Sequence, residues 1–146
     1  MASATSLKTT APAQRVSFKR LLWVGPLAIV AAVVANQIVR MIAVAALDIA
    51  PEFMPLSFGP PVLFSIIGAL GATIAFAIVG RFSQRPLALY RTIALVVLLI
   101  SLIPDVLLYI SPIMPGVTLP AVATLMVMHV VTWAICVNMF TRLAVE

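Results

Sequence analysis

The stretch Val62-Leu-Phe-Ser-Ile-Ile-Gly-Ala-Leu-Gly-Ala-Thr-Ile-Ala-Phe-Ala-Ile-Val79 carries no charged side chain. As a helix rising about 1.5 Å per residue it is about 27 Å long, close to the roughly 30 Å hydrocarbon core of a bilayer. Ser65, Gly68, Ala69, Gly71, Ala72 and Ala75 give it a small-residue character. Gly68 with Ala72 and Gly71 with Ala75 form small-xxx-small pairs, which let helix backbones approach closely in lipid. We expect Gly68, Gly71, Ala72 and Ala75 to serve helix packing inside the chain rather than a dimer face.

Working outward, the same pattern recurs. Downstream, Gly80 to Arg91 (GRFSQRPLALYR) is a basic turn, followed by an apolar run to Ser111. Pro112, Pro115, Gly116 and Pro120 make a short uncharged connection, and a last apolar run ends before Arg142 and Glu146. Upstream, Asp48 to Pro61 (DIAPEFMPLSFGPP) separates the opening stretch from a first run that begins at Leu21. Asp48 and Glu52 mark this connection as wet, and its four prolines argue against a continuous helix through it. Phe53, Met54, Leu56 and Phe58 suggest that it lies along the membrane surface. The predicted spans are residues 21–47, 62–80, 88–111 and 119–140. Residues 1–18, polar and without apolar periodicity, read as a disordered tail. The fold class is therefore all-α, a polytopic membrane protein with a bundle of four transmembrane helices. Short connections make sequential helices neighbours.

Composition agrees. Of 146 residues, 64% are hydrophobic and 9% charged, whereas a soluble domain carries roughly 25% charged residues. The net charge of +5 does not point to nucleic acid, because the basic residues sit at the ends of apolar runs. Lys8, Arg15, Lys19 and Arg20 precede the first span, Arg81, Arg85 and Arg91 follow the second, and Arg142 follows the fourth. By the excess of Lys and Arg in cytoplasmic loops, both termini and the central turn are expected in the cytoplasm. Arg40 is the exception, at the far end of the first span. A rival reading takes the first span as a signal peptide cleaved near Ala43-Val44-Ala45. Its leading region is long for that, and the site lies well past the charge-free core. The lone Cys136 excludes an intrachain disulfide.

Polar groups at membrane depth are functional-site hypotheses by default. By helical rise, Asp105 lies about 20 Å from the start of the third span, His129 about 14 Å from the outer end of the fourth, and Asn36 about 6 Å below Arg40. Ala28, Ala32, Asn36 and Arg40 repeat every four residues, so they share a face. Ser101 and Asp105 do the same, as do His129, Thr132 and Cys136. These stripes suggest a polar pocket in the outer half of the membrane, built from Asn36, Arg40, Asp105 and His129, with Asp105 paired to Arg40 or to His129. The plainer alternative is a structural Asp105–Arg40 ion pair pinning two helices. Pro104 removes a helix hydrogen bond and predicts a local distortion beside Asp105.

A Ser–His–Asp set can be drawn from Ser111, His129 and Asp105, but nothing marks Ser111 as a nucleophile. One histidine excludes bis-His haem, Asp105 and His129 are too few for a metal site, and no phosphate loop is present. No catalytic residue, metal or cofactor is expected.

Four runs carry a family resemblance: Gly68-Ala-Leu-Gly-Ala, Gly80-Arg-Phe-Ser-Gln-Arg-Pro, Ile100-Ser-Leu-Ile-Pro-Asp105, and Pro120-Ala-Val-Ala-Thr-Leu-Met-Val-Met-His129-Val-Val. Over about residues 20–142 the chain resembles a family of small bacterial four-helix membrane proteins, found in actinobacteria and related groups and known only as a domain of unknown function. The resemblance implies a bacterial cytoplasmic membrane and supplies no activity. Four-helix drug exporters are similar in helix count alone; their essential membrane-embedded Glu lies in the first helix, and this first span has none. The expected function is an accessory or interaction protein, its partners being the lipid bilayer and other membrane proteins or further copies of itself. The alternative is a small-molecule or proton-linked transporter or binder that uses the polar pocket.

Overall fold

The structure, a computed structural model, describes residues 15–146. Five helices follow in chain order: α1 (Phe18–Ala46), α2 (Gly59–Phe82), α3 (Pro86–Ser101), α4 (Ile103–Ile110) and α5 (Leu119–Leu143). With α3 and α4 taken as one broken element, Pro86–Ile110, there are four helical spans, each long and apolar enough to cross a membrane. The fold is all-α, as the apolar runs predict.

The helix limits differ from expectation where proline chemistry decides them. Pro60 and Pro61 open α2 rather than preceding it. A proline in the first turn loses nothing, because the amides there have no partner within the helix. In the third span, Pro104 has no amide to offer the carbonyl of Ile100, and the helix breaks at Leu102. Beside the break, the Ser101 hydroxyl donates to the Leu98 carbonyl at 2.7 Å, sharing it with the Leu102 amide. The expected distortion is thus a break one residue long, with Leu102 still in the right-handed helical region, and Asp105 stands in the first turn after it.

The first connection also differs. Phe53 and Leu56 are buried, so the short turn Met54–Leu56 plugs the end of the bundle, while Met54 and Phe58 of the same connection stay exposed. Gly116 comes up against it with φ +75°, and a β-carbon there would meet the Phe53 amide nitrogen at 3.0 Å. Only glycine meets both demands at no cost.

α1 packs along both α5 and α2, and α3 packs against α2 and α5. α4 leans on α5 and has no extended packing against α1 or α2. Two apolar clusters fill the bundle. Toward the basic end, Leu21, Val24, Ala28, Ala32, Ala69, Val79 and Cys136 surround three stacked aromatic rings. Phe76 meets Tyr90 edge-on with ring centroids 4.8 Å apart, and Phe140 lies 5.5 Å from Phe76. Toward the proline-rich end, Ala43, Ile49, Phe53, Leu56, Ala121 and Met128 form the second cluster.

The expected tail needs a correction at its inner edge. Residues 1–14 lie outside the described residues, but Arg15 to Ser17 pair with the C-terminus as a two-residue antiparallel bridge. The Ser17 amide donates to Ala144 (2.9 Å), the Glu146 amide donates to Arg15 (3.0 Å), and the Ser17 hydroxyl donates to the Glu146 carboxylate (2.7 Å). Gly80 makes room for this clasp: a β-carbon there would sit 2.7 Å from Val16.

The small residues of α2 divide their tasks. Ala69 is fully buried, and Ala72 and Ala75 pack against the first cluster. Gly68 faces the Thr132 methyl, 3.7 Å from where its β-carbon would be, but Gly71 meets nothing. Gly71 therefore contributes no packing within the described chain.

Candidate functional site

The four residues expected in one pocket separate into three settings. Asn36 is buried on the Ala28–Ala32 face of α1. Its Nδ2 donates to the Ser65 hydroxyl at 2.8 Å and to the Thr132 hydroxyl at 2.9 Å. Ser65 spends its own hydrogen on the Pro61 carbonyl (2.6 Å), so it can only accept from Asn36. That fixes the amide orientation: nitrogen toward Ser65 and Thr132, and Oδ1 buried without a partner. One side chain thus ties α1, α2 and α5 together in a thin polar layer between the two apolar clusters.

Arg40 does not join this layer or reach Asp105. Its Nε donates to the Leu56 carbonyl at 2.7 Å, which ties α1 to the plug at the proline-rich end. The reason is placement, since neither α3 nor α4 packs on α1. The Asp105–Arg40 pair considered from sequence is absent among the described residues.

Asp105 meets His129 instead. The carboxylate Oδ2 lies 3.3 Å from His129 Nδ1, and the same Nδ1 lies 2.9 Å from the Leu125 carbonyl. A nitrogen facing two acceptors carries the hydrogen, so the ring is the Nδ1–H tautomer. The short contact is the one to Leu125, and Oδ2 is left buried without an aligned hydrogen bond. Asp105 is about nine-tenths buried, whereas 38% of the His129 side chain is exposed.

His129 and Thr132 are one turn apart on α5. The Asp105–His129 pair and the Asn36–Ser65–Thr132 layer therefore lie on neighbouring turns of one helix. Ser65 is the residue sequence reasoning missed; it read as a small residue of α2, although a hydroxyl three positions before Gly68 marks the same face. Trp133 was also missed. Its indole nitrogen is buried with no acceptor, and a lone tryptophan in an apolar helix gives no sign of that.

With this geometry in place, comparison with known proteins gives one result. Residues 16–146 match the family of unknown function DUF6069. The chain belongs to DUF6069. No curated protein and no solved structure matches it. DUF6069 supplies no substrate or reaction, so the chemistry rests on the side chains. Asp105 holds the His129 ring in place beside the Leu125 carbonyl. Among the described residues no third His, Cys, Asp or Glu joins them, and Ser111 ends α4 with its amide bonded to the Leu107 carbonyl. The cavities at the opposite, basic end are shallow; the larger, about 430 Å³, is lined by Arg15, Val16, Phe18, Gly80, Ser83, Gln84 and Pro86.

Proposed function

We propose that this chain is a non-catalytic accessory or interaction protein of the bacterial cytoplasmic membrane, with both termini in the cytoplasm. One observation carries the reading. Asn36 and Arg40 spend their donors on the chain's own helices and connection, while the outer surface is apolar. Asn36 binds α2 to α5, and Arg40 holds the plug. Outside, large side chains such as Phe64, Ile67, Ile74 and Ile78 are exposed along α2, with Gly71 open among them. A lipid bilayer covers such a surface, and a partner helix gains close backbone approach at Gly71. The orientation rests on the basic residues at the shared end of α2 and α3 and on those beside the two termini.

The test is native mass spectrometry of tagged protein extracted from its own host in mild detergent. Reproducible co-purification with a defined membrane complex, lost in Gly71→Leu while that variant still folds, is the expected outcome. A chain that runs alone under every mild extraction, with or without the substitution, refutes the proposal.

A second reading, a binder or transporter of a small molecule, is favoured by a single feature. His129 is held by Asp105 and Leu125 on one side and is open on the other.

A further inference from the structure

The open side of His129 has a definite chemistry. Nδ1 carries the hydrogen, so Nε2 of the neutral ring bears a lone pair. Nε2 has no hydrogen-bond partner among the described residues, and it is not among the buried unpaired atoms. With 38% of the side chain exposed, this acceptor faces outward from the bundle.

Its depth sets what it meets there. His129 is the eleventh residue of α5 (Leu119–Leu143), about 15 Å from the first residue at 1.5 Å per residue and near the middle of the helix. At that depth there is hydrocarbon and no water, and an unpaired acceptor costs free energy until a donor reaches it. The flank of α5 that carries His129 is also open sideways. Gly68 of α2 comes to Thr132 on one side and Asp105 of α4 to His129 on the other. α2 and α4 themselves have no extended packing. Gly68 is exposed, and a β-carbon there would lie 3.7 Å from the Thr132 methyl.

We infer that His129 Nε2 is the acceptor in a lateral binding site for the hydroxyl of a lipid-soluble molecule, of the isoprenoid quinol class, which enters from the bilayer between α2 and α4. This rests on the binder reading above and narrows it. A phospholipid headgroup stays at the interface, whereas a quinol carries its ring hydroxyls on a body soluble in the hydrocarbon core. A phenolic hydroxyl is a strong donor, and Nε2 offers only an acceptor. The arrangement is that of a ring held by its far nitrogen so that the near one points at a ligand. Asp105 is a positioning residue here, since it touches Nδ1 and not the ligand. The site binds; no electron transfer is part of the inference.

The chain has one histidine, so nitrogen-15 NMR of histidine-labelled protein in lipid nanodiscs reads this ring alone. In plain lipid the expected spectrum has a protonated Nδ1 and an unprotonated Nε2. Adding a short-chain ubiquinol shifts the Nε2 resonance upfield as it accepts a hydrogen bond, and the oxidised quinone, which has no hydroxyl to donate, leaves it in place. Equal shifts with quinol and quinone overturn the inference, as does an Nε2 that already carries the hydrogen in plain lipid. A resonance deaf to quinol but protonated when the aqueous buffer is acidified overturns the lipid-side ligand while keeping a water-reachable polar site. A resonance indifferent to both overturns the binder reading as well.

Discussion

Asn36→Ala tests whether the thin polar layer holds the bundle together. Asn36 is 3% exposed and loses hydrogen bonds of 2.8 and 2.9 Å to two other helices. Interhelical hydrogen bonds in membranes average about 0.6 kcal/mol, so the pair contributes about 1.2 kcal/mol. The void left behind adds on the order of 1 kcal/mol. Against this, the variant no longer buries an amide oxygen without a partner, which returns on the order of 1 kcal/mol. The expected net loss is about 1–2 kcal/mol, read from reversible unfolding in mixed micelles. Asn36→Leu, which fills the space and removes the orphaned oxygen, is expected to cost less than the alanine. A double-mutant cycle with Thr132→Val isolates one bond and is expected to give a coupling near 0.6 kcal/mol. A coupling of zero, with Asn36→Ala as stable as the parent, would show that the amide does not pin the three helices.

Three further outcomes follow from the same geometry. Gly80→Ala drives a methyl into Val16, 2.7 Å away, and is expected to open the terminal clasp at a cost of about 1–3 kcal/mol; hydrogen exchange at Ser17 and Glu146 rises, and a second change, Val16→Gly, restores protection. Arg40→Gln frees the plug at Leu56 and raises proteolysis of residues 47–58, and exchanging the charges of Arg40 and Asp105 does not rescue either single variant, since the two never meet; recovery of protein levels by the exchange would contradict the placement. In a Cys136→Ala background, a cysteine at Ser83 is expected to be shielded from an impermeant maleimide in intact cells and one at Ile113 to be labelled; the reverse pattern would invert the orientation.

The spans were legible because length and apolarity alone decide whether a helix can cross a bilayer, and neither depends on the neighbours. The inward face of α1 was legible for a similar reason: Ala28, Ala32 and Asn36 repeat at helical spacing and are buried. Pairing was not legible. Periodicity tells which face of a helix turns inward but not which helix stands opposite, so Asp105 is drawn first to Arg40, the plainer reading, and only alternatively to His129. The answer depends on α4 resting on α5, and that follows from the break at Leu102. The break could be anticipated at Pro104; the direction in which the half-helix settles could not. The clasp of Arg15–Ser17 with Ala144–Glu146 was out of reach for another reason. Its bonds are mainly backbone to backbone, and they join two short segments from opposite ends of the chain that have no pattern of their own.

The two ends of the bundle are built to different standards, and this bears on where function sits. Toward the basic end, α1, α2, α3 and α5 converge on the Phe76–Tyr90–Phe140 stack, and the paired termini tie that end across. Toward the proline-rich end, α3 has given way to the eight-residue α4, which rests mainly on one neighbour, and closure depends on loop residues held by Arg40. In lipid, helix association has no hydrophobic drive and relies on packing and hydrogen bonds, so α4, packed mainly on one helix, is the element expected to open most easily. Local openings of this kind are where ligand and partner sites are drawn from. Asp105 and His129 lie toward the proline-rich end, just beyond the Asn36 layer that separates it from the basic one. The proposed site within the membrane plane therefore rests on the part of the fold where α4 packs mainly on one helix and the His129 side chain is exposed.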